Sequence, residues 1–129
     1  MKTVETVSEA DRDLSDSIKK LIIKLGILPN LKGFSYIIQC VLISLSHPDY
    51  LDGGVTKLIY PEVGKKFNTT GERVERSVRH AISKAWAGSA FEYFYLMAEI
   101  PKDLFLDKPS NRFFLTTLCG YIKTRDELN

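Results

Sequence analysis

Residues 61–86 read Pro61-Glu-Val-Gly-Lys-Lys-Phe-Asn-Thr-Thr-Gly-Glu-Arg-Val-Glu-Arg-Ser-Val-Arg-His-Ala-Ile-Ser-Lys-Ala-Trp86, and their spacing is that of a helix-turn-helix. In this motif a short scaffold helix crosses a longer one. The crossing requires a small residue on the scaffold, apolar residues at fixed offsets and a tight turn between the helices. Pro61 suits the first turn of a helix. Val63 is apolar, Gly64 is small where the helices must approach, and Phe67 closes the scaffold. Asn68 tolerates the left-handed conformation that the turn demands. Many such motifs carry Ala at the crossing and Gly lowers helix propensity, so Gly64→Ala is expected to be neutral or stabilising, and Gly64→Leu to be disruptive. The longer helix can begin in two ways. Thr69 with Glu72 fits a capping box, whereas Thr70 as cap puts Arg73 at the third helical position. Either start buries Val74.

At 100° per residue, Val74, Val78, Ala81, Ile82 and Ala85 gather on one side of the second helix, with Arg76, Arg79, His80 and Ser83 on the other and Arg73 and Glu75 flanking. Trp86 is expected in the core. Outward arginines, a glutamate and a histidine suit the major groove, since Arg bonds guanine O6 and N7 in pairs and Glu accepts from cytosine N4. The helix start, the hydroxyls of Thr69 and Thr70, and Lys65 or Lys66 would hold phosphates and fix register. A solvated helix whose Arg73 and Arg76 pair with Glu72 and Glu75 would carry the same residues.

The charge distribution fits either reading, and charge alone does not choose between them. Between Lys57 and Trp86 there are seven basic residues (Lys57, Lys65, Lys66, Arg73, Arg76, Arg79, Lys84) and three acidic ones (Glu62, Glu72, Glu75), a balance of +4. With a net charge of +2 for all 129 residues, the other 99 sum to −2. Such focusing is the footprint of a phosphate-facing surface on an otherwise ordinary protein.

Outward from this motif the chain is helical, and no alternating strand pattern interrupts it. Leu14, Ile18, Leu21, Ile22 and Leu25 form one buried stripe that Gly26 ends. Asn30 is placed to cap a second helix whose face is Phe34, Ile37, Ile38, Val41, Leu42 and Leu45. A loop through Asp52, Gly53 and Gly54 leads to the apolar stretch Val55 to Tyr60, and Pro61 starts a new helix. Beyond the motif, Ala90 to Ala98 reads as a short aromatic-rich helix and residues 101–109 as a loop. Ser110 caps a last helix through Phe114, Leu118, Tyr121 and Ile122. The expectation is therefore an all-α, compact domain of five to six helices over residues 13–129, with 1–12 as a flexible lead-in or linker remnant.

A chain of this length with 44% hydrophobic residues suffices for one core. The apolar runs are short, and Glu5, Glu9 and Asp11 stand where a signal peptide needs an apolar stretch, which predicts a cytoplasmic protein with no membrane partner. Cys40 and Cys119 lie in apolar helical patterns without metal or redox spacing, so they are expected as buried free thiols, with no metal, disulfide or cofactor. Two separated histidines, no Gly-rich phosphate loop and no paired carboxylates with a base leave no catalytic constellation, and the chain is not read as an enzyme.

The run from Val55-Thr-Lys-Leu-Ile-Tyr60 through Trp86 closely resembles the C-terminal effector domain of the sporulation initiation regulator, stage 0 protein A. Gly26-Ile-Leu-Pro29 with Lys32-Gly-Phe34 resembles the family's entry, and Lys108-Pro-Ser-Asn111 the lead into its last helix. The similarity runs from about Asp13 onward and is weakest over residues 87–107, where Phe91-Glu-Tyr-Phe-Tyr95 replaces a more polar sequence. The resemblance implies a transcription factor of endospore-forming Firmicutes, a response-regulator effector domain whose six helices bind double-stranded promoter DNA as a head-to-tail homodimer, with RNA polymerase a further possible partner. The family's base-contacting positions fall on Arg73, Glu75, Arg76 and Arg79, with His80 adjacent, and all keep the expected residue type. Family members carry an N-terminal phosphoacceptor receiver domain, against about a dozen residues here before the first helix. The chain thus reads as an excised domain or as a standalone relative that binds without a phosphorylation switch or competes with full-length regulators. The alternative from another class is a helical protein-interaction module that keeps the motif as scaffold and docks a partner through the aromatic segment near Phe94.

Overall fold

The computed structural model describes residues 9–104 and 107–128, and among these there are six α-helices and no strand. They are α1 (Glu9–Lys24), α2 (Lys32–Ser46), α3 (Tyr60–Lys66), α4 (Gly71–Trp86), α5 (Glu92–Ala98) and α6 (Asn111–Leu128). The all-α expectation holds. The first helix starts at Glu9, so it takes in part of the stretch expected as a lead-in, while residues 1–8 lie outside the described ones. Its acidic first turn, Glu9 and Asp11, suits the positive end of the helix dipole. It ends at Lys24, and Gly26 beyond it, with φ of 95°, lets Ile27 N–H return to the Ile22 carbonyl at 3.0 Å and turn the Ile27 side chain into the core.

The hub is α2, because its apolar residues cover most of its circumference: Phe34, Tyr36, Ile37, Ile38, Cys40 and Val41 are all buried. It packs on α1, α3, α4 and α6. Asn30 does not cap it. The residue before the helix is the extended Leu31, which makes no side-chain cap and is held by packing on the core. Leu31 brings Gly33 and Phe34 inward, and a polar cap one residue earlier has no helix end to serve.

The connection from α2 to α3 is wound. Pro48–Leu51 forms a 3₁₀ turn, Val55–Ile59 a wide helical turn with both Leu58 and Ile59 N–H donating to Gly54 C=O, and α3 continues from it with Pro61 in its first turn. At the far end Ser110 Oγ accepts from Phe113 N–H at 3.1 Å, so Ser110 caps α6 as expected. Two rings of the aromatic segment are interior: Phe91 and Phe94 are buried and pack with Phe114 in a three-ring cluster, with Phe94 centroids 5.0 Å from Phe91 and 5.5 Å from Phe114 and Phe91 6.2 Å from Phe114. The outer side chains of this segment are the exposed Leu96 and the half-buried Tyr93 and Tyr95.

Cys40 and Cys119 are free and buried, on α2 and α6. Burial pushes the Cys40 thiol up to about 12, reinforced by Cys119, and the Cys119 thiol up to about 11. Both stay protonated and unreactive at neutral pH. No helix among the described residues is long and apolar enough to cross a membrane.

Candidate nucleic-acid interface

Between α3 and α4 the turn is built as the residue types require. Asn68 takes φ of 56°, and Thr69 N–H donates to the Gly64 carbonyl at 2.8 Å, folding the chain back sharply. Thr70, extended at φ −99° and ψ 157°, is the cap: its Oγ1 accepts from Arg73 N–H at 3.2 Å. The two possible starts of the second helix thus resolve to Thr70. Gly64 lies where α3 meets the turn, and a methyl added there would sit 2.8 Å from the Thr69 carbonyl oxygen and 3.1 Å from the Thr70 carbonyl carbon. Backbone cannot retreat as a side-chain tip can. The expectation that Gly64→Ala is neutral or stabilising is therefore corrected: both substitutions overpack, Leu more than Ala.

A second close approach escaped the sequence reading. Gly33 on α2 faces α4, where an added methyl would strike the Ser77 carbonyl oxygen and lie 2.7 Å from the Ala81 methyl. With Val74, Val78, Ala81 and Ile82 wholly buried, α4 is clamped on its apolar side by α2 and α3. Its opposite side stays open.

That open side carries Arg73, Arg76, Arg79 and His80, all exposed, with Glu75 half-buried at its edge. Arg79 Nη2 pairs with Glu75 Oε2 at 2.8 Å, one turn apart. Surface pairs of this kind contribute only about 0.3–0.5 kcal/mol, so duplex contacts can displace it. Lys65 is exposed at the end of α3, while Lys66 Nζ donates to Gln39 Oε1 at 2.9 Å and is tethered to α2. Thr69 is half-buried, with Thr70 more open at the helix start. The hydroxyl of Thr70 accepts from the backbone and keeps its own proton to donate.

One expected core residue is outside. Trp86 is 42% exposed, because Ala85 fills the inward position and the next residue lies 100° further round. It borders a surface hollow with Phe91 and Tyr95.

Three residues that the sequence reading did not assign to the site border it. Lys108 Nζ donates to Ser83 Oγ at 2.6 Å, and Asn111 Nδ2 donates to the Glu75 carbonyl and to the Tyr60 hydroxyl, each at 3.1 Å. Arg112 Nε donates to the Leu51 carbonyl at 2.9 Å. Asn111 at the head of α6 and Lys108 just before it are thereby stitched to the flank of α4, while Arg112 ties α6 to the Pro48–Leu51 turn. Tyr60 is buried and its phenol is pushed up to about 12, by desolvation first. Lys108-Pro-Ser-Asn111 had been legible as a helix lead-in, but nothing local to it says which helix it reaches.

A family model described as "Sporulation initiation factor Spo0A C terminal" matches residues 18–122. The chain belongs to this family. The Spo0A C-terminal domain is an all-helical, helix-turn-helix DNA-binding domain of sporulation transcription regulation, not an enzyme family. The match spans α2 to α5 whole, with the C-terminal part of α1 and most of α6, and so includes every residue of the turn and of the open face of α4.

Proposed function

We propose that this chain recognises specific promoter sequences by laying the open face of α4 in the major groove. Arg73, Glu75, Arg76 and Arg79 would touch base edges with His80 beside them, and Lys65, Lys66, Thr69 and Thr70 would touch phosphates. The observation that carries this reading is the contrast across one helix. One side is wholly buried against α2 and α3, and the other presents three exposed arginines next to a Thr-capped helix start in a DNA-binding family.

The unit that does this would be residues 13–129, and by family likeness two copies would sit head to tail on adjacent sites, with RNA polymerase as a further contact. The test is selection of bound sites from a random duplex pool, followed by binding of the selected and a scrambled duplex across a salt series. A shared motif and a steep fall of affinity with salt are expected. A pool without consensus, or a flat salt response, would favour a helical interaction module that keeps the motif only as scaffold.

A further inference from the structure

A recess of about 450 Å³ opens between α4, the head of α6 and the loop before α3, and Arg79, Lys108 and Arg112 line it together with Glu75, Thr56 and Ser110. Its charge is one-sided. Three cations stand against one carboxylate, and that carboxylate, Glu75, is already paired with Arg79 at 2.8 Å. Arg112 has a second, looser partner in Asp52 at 3.6 Å, whose side chain is almost fully exposed. The recess is also held rigidly to the reading helix. Asn111 bonds the Glu75 carbonyl, and Lys108 bonds Ser83 two turns down the chain from Arg76, on the same polar side.

We infer that this recess seats a backbone phosphate of the duplex, and that Lys108 and Arg112 form a phosphate clamp on the α6 side of the reading helix, opposite the one built by Lys65 and the Thr70 turn. The inference rests on the DNA-reading function proposed above. A helix in the major groove lies between two phosphate strands. The α3 turn supplies cations and hydroxyls to one of them, and the recess offers Lys108 and Arg112 to the other. Arg79 is shared, since it belongs to the base-facing side of α4 and also borders the recess. Base contact at Arg79 and phosphate contact at Lys108 and Arg112 would therefore fix one another's register. The ligand is a phosphodiester, with no base preference at these two side chains.

The test compares the parent with Lys108→Gln, Arg112→Gln, Lys108→Arg and Arg112→Lys on a selected and a scrambled duplex over a salt series. Each Gln variant should weaken both duplexes by the same factor and make the slope of log affinity against log salt shallower by about 0.9, the value for one phosphate neutralised. The two charge-keeping variants should retain the parental slope. Phosphate-ethylation interference should vanish at the same one or two phosphates in both Gln variants. Two results overturn the inference while leaving the DNA-reading function intact: a parental slope and affinity in the Gln variants, or equal losses in the charge-keeping variants, which would mark a structural role. A parent that shows no salt-dependent duplex binding would overturn both.

Discussion

Residues 61–86 carry their structural instructions within a few positions of one another, whereas residues 87–104 take theirs from helices far along the chain. In the first region Gly64 answers to Thr69, Thr70 to Arg73, and Val74 to the helix that Pro61 begins, all inside one motif. In the second, Phe91 and Phe94 are held by Phe114 on α6, and Tyr93 shares a 2.9 Å hydroxyl contact with Tyr121. The two regions therefore differ in how change is tolerated. A turn that needs particular backbone space is intolerant of small additions, and an aromatic cluster is intolerant of removals.

The largest effect should come from the aromatic cluster. Phe94→Ala empties a fully buried site bordered by two stacked rings and should cost about 3–5 kcal/mol in thermal or urea unfolding, as truncation of a core aromatic does. The two nearby exposed residues Trp86 and Leu96 provide the contrast: at 42% and 73% exposure, Trp86→Ser and Leu96→Ser should each stay within about 0.5 kcal/mol. If Phe94→Ala unfolded no more easily than Leu96→Ser, the segment would not be the core element described.

Next in size is the turn. Gly64→Ala should destabilise by about 1–3 kcal/mol, and Gly64→Leu by more, because the added atoms meet the carbonyls of Thr69 and Thr70. Unfolding of both variants beside the parent checks this, and duplex affinity should fall with stability. A Gly64→Ala protein more stable than the parent would mean that the turn relaxes freely and that helix propensity decides the sign. Thr70→Ala is expected to be smaller still, about 1 kcal/mol, since it removes a single cap. Thr69→Ala should not show that loss, which separates the two caps that the sequence left open.

What could be read from the amino acids follows the same division. The α4 wheel, the Asn68 turn, the Gly26 stop and the Ser110 cap were legible, because each depends on residues within one or two helical turns. The crossing at Gly33 was not, because its partner Ser77 lies on another helix and no local pattern distinguishes a glycine that touches α4 from one that merely starts α2. Lys108 and Asn111 were missed as parts of the site for the same reason: their partners Ser83 and Glu75 are reached only through the fold. Trp86 was misplaced by residue type. Large aromatics are usually buried, yet here the helix phase puts Ala85 inward and leaves the indole at the surface. Asn30 is a capping residue by type, but α2 begins after Leu31, whose packing on the core fixes the helix start without a side-chain cap.

The central claim is that the open face of α4 reads bases and does not merely attract phosphates. Binding of Arg73→Ala and Arg76→Ala to the selected and the scrambled duplex at one fixed salt concentration tests it most directly. Each variant should lose roughly 1–3 kcal/mol of discrimination between the two duplexes, with the selected one weakened and the scrambled one changed far less. Lys65→Ala, in the same measurement, should weaken both about equally. Equal losses on both duplexes for the arginine variants would contradict the claim, because they would show that α4 meets DNA only through its charge.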